Sequence, residues 1–235
     1  MGDKGTKFQR NNLSLFPKTS HKQFLSMLTD AHSHRTNTRN VRTIFNIQLN
    51  DQMMSIPHAK NLRYSVGIHP RDTGNIDALC LENLEFLLSF KQVIAIGECG
   101  MDKNAPLAIE KQLEVFELQI KLSEIHNKPL IIHCVGCYNE LINLHRALNP
   151  KQPWIIHGFR GKPEMAVQLV KVGMYLSFGE KFNPESVAIT PIDRILAETD
   201  DSEMDIKDIY ESLCTLKHCN FEDLNAAETI FGFEK

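Results

Sequence analysis

The chain has 235 residues, 42% of them hydrophobic and 23% charged, with a formal net charge of −3. That length suits one large domain or two small ones, and the composition is that of a soluble globular protein able to bury a core. The longest apolar runs are strand-sized, which excludes a membrane-spanning helix, and the lack of a basic block disfavours a protein that coats duplex nucleic acid. An enzyme that handles strand ends is not excluded, because a bound metal can supply positive charge.

Residues 1–23 are polar and lack the apolar segment of a secretory signal, so they read as a flexible arm ahead of a domain at 24–235. Six cysteines, at 80, 99, 134, 137, 214 and 219, read as free thiols in a reducing cytoplasm rather than a disulfide framework. Cys134 and Cys137 form a C-x-x-C, but a zinc ribbon needs a second pair, and Cys214 with His218 or Cys219 is wrongly spaced for one.

In chain order, apolar β-branched runs predict strands at Phe24–Thr29, Val41–Gln48 and Tyr64–Ile68. A helix is expected over Asp77–Phe90, then a strand at Val93–Gly97. The clearest helical pattern follows, Leu107–Asn127, with Ile109, Leu113, Phe116 and Ile120 on one face and Lys128-Pro129 as its stop. Strands at Leu130–Ile132, Trp154–Ile156, Met174–Phe178 and Ile195–Glu198 then alternate with helices at Tyr138–Leu148, Pro163–Val172 and Pro184–Ala188. Asp205–His218 and a last piece near Phe221–Ile230 complete the set. Eight strands alternating with helices predict a parallel sheet closed into a compact (β/α)8 TIM barrel. The gap from His34 to Val41 is too short for a helix, so the barrel should be irregular, with helices missing near strands one and two.

Five of the runs end in residues that bind metals. The first leads into Ala31-His32-Ser33-His34, the fourth into Glu98, the fifth into His133, the sixth into His157 and the eighth into Asp200. In a barrel these C-terminal strand ends form one rim, where active sites of the fold lie. Residues i and i+2 of a strand face the same way, so His32 and His34 can meet one ion. Four imidazoles and two carboxylates suit transition metals better than Mg²⁺ alone. Six ligands exceed what one open catalytic ion needs, and two ions about 3.5–4 Å apart would use them all. Asp200, Asp201 and Ser202 also precede a helical segment and could serve as caps.

The blocks DAHSH (30–34), VGIHP (66–70), IGECGMD (96–102), KPLIIHC (128–134), IIHGFRG (155–161) and ETD (198–200) resemble, in order, those of the TatD family of metal-dependent deoxyribonucleases. The resemblance implies one ion held by His32, His34 and Asp200, a second by His133 and His157, and Glu98 bridging them. It implies catalysis by Asp200 and Glu98 through a two-metal hydroxide mechanism with Zn, Mn or Mg. The ions would lower the pKa of a bound water towards ~7, and Asp200 would orient that water or take its proton. His69 and Asp102 match family motifs and are assigned to substrate contact or to support of a ligand histidine. Lys103, Arg160, Arg35 and Arg71 lie beside the motifs and could meet phosphate.

Three positions depart from the family pattern. Val135 stands where an arginine is usual, Asp201-Ser202 replaces the usual Ala-Pro after ETD with a shortened segment behind it, and Glu228 replaces an asparagine. The leading expectation is a deoxyribonuclease cutting phosphodiester bonds from strand ends. The alternatives are a hydrolase of a small ester, lactone or cyclic amide on the same centre, or a non-catalytic metal-binding barrel. No coiled coil or obvious interface segment is visible, so a monomer without membrane attachment or an obligate protein partner is expected.

Overall fold

The computed structural model describes residues 27–36, 40–49, 56 and 62–233. The strands are β1 (Leu28–Ser33), β2 (Val41–Gln48), β3 (Leu62–Gly67), β4 (Val93–Asp102), β5 (Leu130–Val135), β6 (Trp154–Ile156), β7 (Tyr175–Phe178) and β8 (Ile195–Ala197). They form one sheet in the order β1 to β8, every neighbouring pair parallel. A parallel bridge between Ser33 and Asp200 brings the last strand back to the first. There Asp200 N–H donates to His32 C=O at 3.0 Å, and His34 N–H donates to Asp200 C=O at 3.2 Å. The sheet is thus an α/β barrel joined at its mouth, as the strand count predicts.

The helices are α1 (Ala78–Leu88), α2 (Ile109–His126), α3 (Tyr138–Leu148), α4 (Pro163–Lys171), α5 (Pro184–Ile189), α6 (Ile206–Lys217) and α7 (Ala226–Phe231). Among the described residues no helix lies between β1 and β3. The expected piece near Phe221–Ile230 is split into a 3₁₀ turn at Phe221–Asp223 and α7. The proposed arm at 1–23 lies outside the described residues.

Two apolar clusters organise the packing. The larger includes Val66, Ile96, Ile132, Trp154 and Phe178, with Phe116 of α2 and Leu213 of α6, and forms the layer between strands and helices. The smaller joins Ile44, Ala95, Ile131, Ile155 and Leu196 to Ala226, Ala227 and Phe231 of α7. His133 and His157 stand two residues beyond Ile131 and Ile155, hence on the same strand faces. The second cluster is therefore the floor on which the candidate ligands rest.

Two strands differ from expectation in a way that matters for the site. β1 begins at Leu28 and continues through Asp30 and His32 to Ser33, whereas the apolar run suggested Phe24–Thr29; residues 24–26 of that range lie outside the described ones. β4 runs to Asp102 rather than stopping at Gly97, because Cys99 to Asp102 continue pairing with Ile132 to Val135 after a register shift. Buried polar residues interrupt the apolar run in both extensions, Asp30 and His32 in β1 and Glu98 and Asp102 in β4, so hydrophobicity did not mark them.

Candidate metal centre

Six side chains from five strand ends converge. His32 lies on β1 and His34 just beyond it, Glu98 on β4, His133 on β5, His157 just after β6 and Asp200 just after β8. Glu98 occupies the middle. Its Oε2 lies 3.2 Å from His34 Nε2 and 3.7 Å from His32 Nε2, while its Oε1 lies 2.7 Å from His157 Nε2 and 3.5 Å from His133 Nδ1. Asp200 Oδ1 is 3.7 Å from Nε2 of both His32 and His34. Donor atoms of His32, His34 and Asp200 all fall within 4.8 Å of one another, as do those of His32, Glu98 and His157, and those of His69, Glu98 and His133.

The donor set fits divalent ions on grounds of its own. His32 is fully buried, and neither ring nitrogen has a hydrogen-bond partner. A buried imidazole left so is costly unless something else engages its lone pair. Burial, together with the nearby His157, pushes the His32 pKa down to about 4, so its ring is neutral and able to ligate. Burial would raise the pKa of Glu98, yet contacts from His133, His157 and His34 outweigh this and hold it ionised far below the usual carboxylate range. Contact with Glu98 raises His34 despite its partial burial. His157, though buried, is raised by the carboxylates of Glu198 and Glu98. The same carboxylates that favour a proton here would favour a divalent cation more.

Each of the two histidines on the β5–β6 side has a carboxylate behind it. His133 Nε2 lies 3.4 Å from Asp102 Oδ2, and His157 Nδ1 lies 3.5 Å from Glu198 Oε1. Glu198 is fully buried and also accepts the Gly158 N–H at 2.5 Å. Such carboxylates fix the tautomer and direction of a ligating imidazole. Glu198 had no role in the sequence reading; the signal was present in the ETD block, where it precedes Asp200 by two residues.

A second group missed by apolar periodicity lies on α2. Phe116 and Ile120 are buried as expected and Ile109 and Leu113 partly so, but the same helix also buries Gln112 and Gln119. Gln119 accepts the Ile68 N–H at 2.7 Å and donates to Ile68 C=O at 3.1 Å. Gln112 accepts the Asp102 N–H at 2.8 Å and donates to Asp102 C=O at 3.0 Å and to Leu107 C=O at 2.6 Å. Spaced seven residues apart, the two amides clamp the peptide next to His69 and that of Asp102 itself. Gly67 serves the same region by being small: a Cβ there would lie 2.8 Å from Glu98 O and from Gly97 N.

Of the other predicted residues, His69 stacks edge-on against His133 with ring centroids 4.5 Å apart, and its Nδ1 accepts the Arg71 N–H at 3.1 Å. Lys103 is held by Glu140 at 3.0 Å, and Arg160 is exposed on the turn after β6. A cavity of about 380 Å³ opens over the cluster, lined by His34, His69, Arg71, Glu98, His133 and Asp200 among others. An adjoining hollow of about 280 Å³ shares His69 and Glu98 with it and extends over Asn46 and Leu49.

Residues 15–227 match the sequence model of the family described as TatD related DNase. The chain belongs to that family. Among its TatD-like relatives is the "uncharacterized metal-dependent hydrolase YabD" of Bacillus subtilis, 30% identical over 189 residues that cover 70% of this chain and 73% of YabD. Another is the "3'-5' ssDNA/RNA exonuclease TatD" of Pantoea ananatis, 28% identical over 159 residues, 63% of this chain and 61% of that protein. The chain thus spans less than two thirds of the length of the exonuclease it matches. The crystal structure of YJJV, a TatD homolog of Escherichia coli K12, superposes with a TM-score of 0.74 over 88% of this chain and 99% of that one, at 19% identity, and so shares the fold. In the TatD-like barrel described here, no helix among the described residues is long and apolar enough to cross a membrane.

Proposed function

We propose that this TatD-family chain is a divalent-metal-dependent phosphodiesterase that hydrolyses DNA from strand ends, with two ions held by His32, His34, Glu98, His133, His157 and Asp200. The observation that carries the reading is the position of Glu98. Its two oxygens face different histidine pairs, at 3.2 Å from His34 and 2.7 Å from His157, so one carboxylate would be available to two ions. Imidazole and carboxylate donors without thiolate suit Zn or Mn better than Mg. When bound, such ions polarise a phosphoryl oxygen and bring the pKa of a water towards ~7.

The protein's own groups perform the remaining tasks. Asp200 reaches the mouth of the cavity, and its carboxyl is raised above the ordinary value by burial and by the charge of Glu198. From there it would orient the attacking water or take its proton. Asp102 and Glu198 keep His133 and His157 aimed at the centre. The cavity and the adjoining hollow give a nucleotide room beside the cluster. Action from an end agrees with the exonuclease name that several relatives carry. A cytoplasmic, monomeric enzyme completes the proposal.

Digestion of end-labelled single- and double-stranded DNA with Mg²⁺, Mn²⁺ and Zn²⁺ in turn tests it, with Glu98→Gln as control. Progressive shortening by the wild-type protein, lost in the variant, is expected. A metal-loaded wild type no faster than Glu98→Gln on every oligonucleotide sinks the reading, and turnover of esters or lactones instead would transfer it to carbonyl substrates.

A further inference from the structure

A phosphodiester brings negative charge into a cavity whose walls already carry Glu98, Asp200 and Asp201. Of the cations near the motifs, Lys103 and Arg35 pair with Glu140 at 3.0 Å and Glu203 at 3.5 Å, carboxylates outside this cavity, and neither they nor Arg160 line it. Arg71 differs. It lines the cavity itself, its side chain is 62% exposed, and its Nε lies 3.5 Å from Asp102 Oδ2.

Asp102 is a rigid anchor. It is fully buried, its Oδ1 accepts the Asn104 N–H at 2.8 Å, its Oδ2 faces His133 Nε2 at 3.4 Å, and its backbone N–H and C=O are both bonded to Gln112. With Nε directed at this fixed carboxylate, the two terminal nitrogens of Arg71 remain for an anion, in the planar fork that suits phosphate. The same turn prepares a second donor. Because His69 Nδ1 accepts the Arg71 N–H, the ring proton of neutral His69 resides on Nε2.

Val135 explains why this matters. It is the register partner of Asp102 across β4 and β5, so the side chain at 135 stands on the same face of the sheet beside that carboxylate. Val135 offers no charge or hydrogen-bond donor at that place. A cation at 135 on β5 and the cation at 71 in the loop after β3 would share the same carboxylate as neighbour.

We propose that Arg71 is the specificity-determining cation of this site: braced on Asp102, it grips a phosphate oxygen of the substrate from the loop after β3. The inference rests on the phosphodiesterase reading above and names the residue that recognises its substrate. Arg71→Lys keeps the charge but loses the fork, so it should retain part of the binding.

The test is steady-state kinetics of the metal-loaded protein on a short single-stranded oligonucleotide, comparing wild type, Arg71→Gln, Arg71→Lys and the double variant Arg71→Gln/Val135→Arg. Arg71→Gln should raise KM about tenfold or more, the size of one lost charge-assisted contact, with a smaller fall in kcat. The double variant should recover most of the lost KM. An unchanged KM in Arg71→Gln overturns the inference. A fall in kcat and melting temperature without rescue by Val135→Arg also overturns it, since Arg71 would then only support Asp102. If the wild type cleaves no phosphodiester at all, the functional reading fails instead, and the two failures are told apart.

Discussion

The Asp30 carboxylate holds Thr199 twice, accepting its backbone N–H at 2.9 Å and its hydroxyl at 2.6 Å, although 169 positions separate the two residues. The Thr199 hydroxyl also lies 2.9 Å from that of Ser33. These contacts close the seam between the first and last strands directly beside two candidate ligands, His32 and Asp200. Thr199→Val preserves shape and removes the hydroxyl. It should cost about 1–3 kcal/mol of stability, the range for a hydrogen bond to a buried charged group. Urea unfolding measures this, and calorimetric titration with Mn²⁺ or Zn²⁺ should show weaker binding as well. A variant as stable as wild type would mean that the backbone bridge at Ser33–Asp200 closes the seam alone.

Asp200 carries a second burden besides its charge: its φ is 54°, in the left-handed region. Asparagine and aspartate tolerate that conformation better than other side chains with a Cβ. Asp200→Asn should therefore abolish turnover while leaving the melting temperature close to wild type. Asp200→Ala should lose activity and also roughly 1 kcal/mol of stability, because alanine is strained there. Equal stability of the two variants would show that the seam hydrogen bonds, not the residue type, determine this backbone geometry.

Gln112 and Gln119 each bond both the N–H and the C=O of one residue, Asp102 and Ile68 respectively. Replacing Gln119 with Leu keeps much of the volume but leaves the Ile68 N–H and C=O buried without those partners. The cost should be about 1–3 kcal/mol per orphaned group, far above that of substituting an exposed residue on the same helix such as Lys121. Hydrogen exchange adds a local reading: the Ile68 amide should lose protection in Gln119→Leu and the Asp102 amide in Gln112→Leu. Unchanged protection at both amides would remove the clamp.

Much of this architecture was legible because burial and periodicity coincide. The bounds of β2, β6 and α3 follow directly from apolar runs with clear stops. The convergence of the candidate ligands was legible for a different reason, since a barrel gathers its strand ends and each candidate follows an apolar strand. What hydrophobicity could not mark is the polar part of the interior. Asp30, His32 and Ser33 are buried in β1, Glu98 and Asp102 in β4, and Gln112 and Gln119 under α2. Most are in place because a partner outside their own element satisfies them or because they belong to the candidate centre, and hydrophobic periodicity does not encode such a partner. Arg71 illustrates the limit: among four cations beside the motifs, only the fold shows which one meets Asp102.

The single tryptophan supplies a pH test away from the centre. His145 of α3 packs edge-on against Trp154 with ring centroids 4.9 Å apart, and burial lowers its pKa below the ordinary 6.5. The folded protein therefore binds fewer protons at this residue than the unfolded chain does. Its neutral form costs nothing above about pH 6.5, and as pH falls below that value the unfolded state gains a proton that the folded state resists. Stability should fall with pH in this window until His145 itself protonates. Trp154 reports the event, because a protonated imidazole quenches indole emission: fluorescence should drop with a midpoint below 6.5. His145→Phe keeps an aromatic ring against Trp154 and should abolish both the quenching and its share of the acid slope. A midpoint at or above 6.5, or an identical titration in His145→Phe, would contradict the burial of this imidazole.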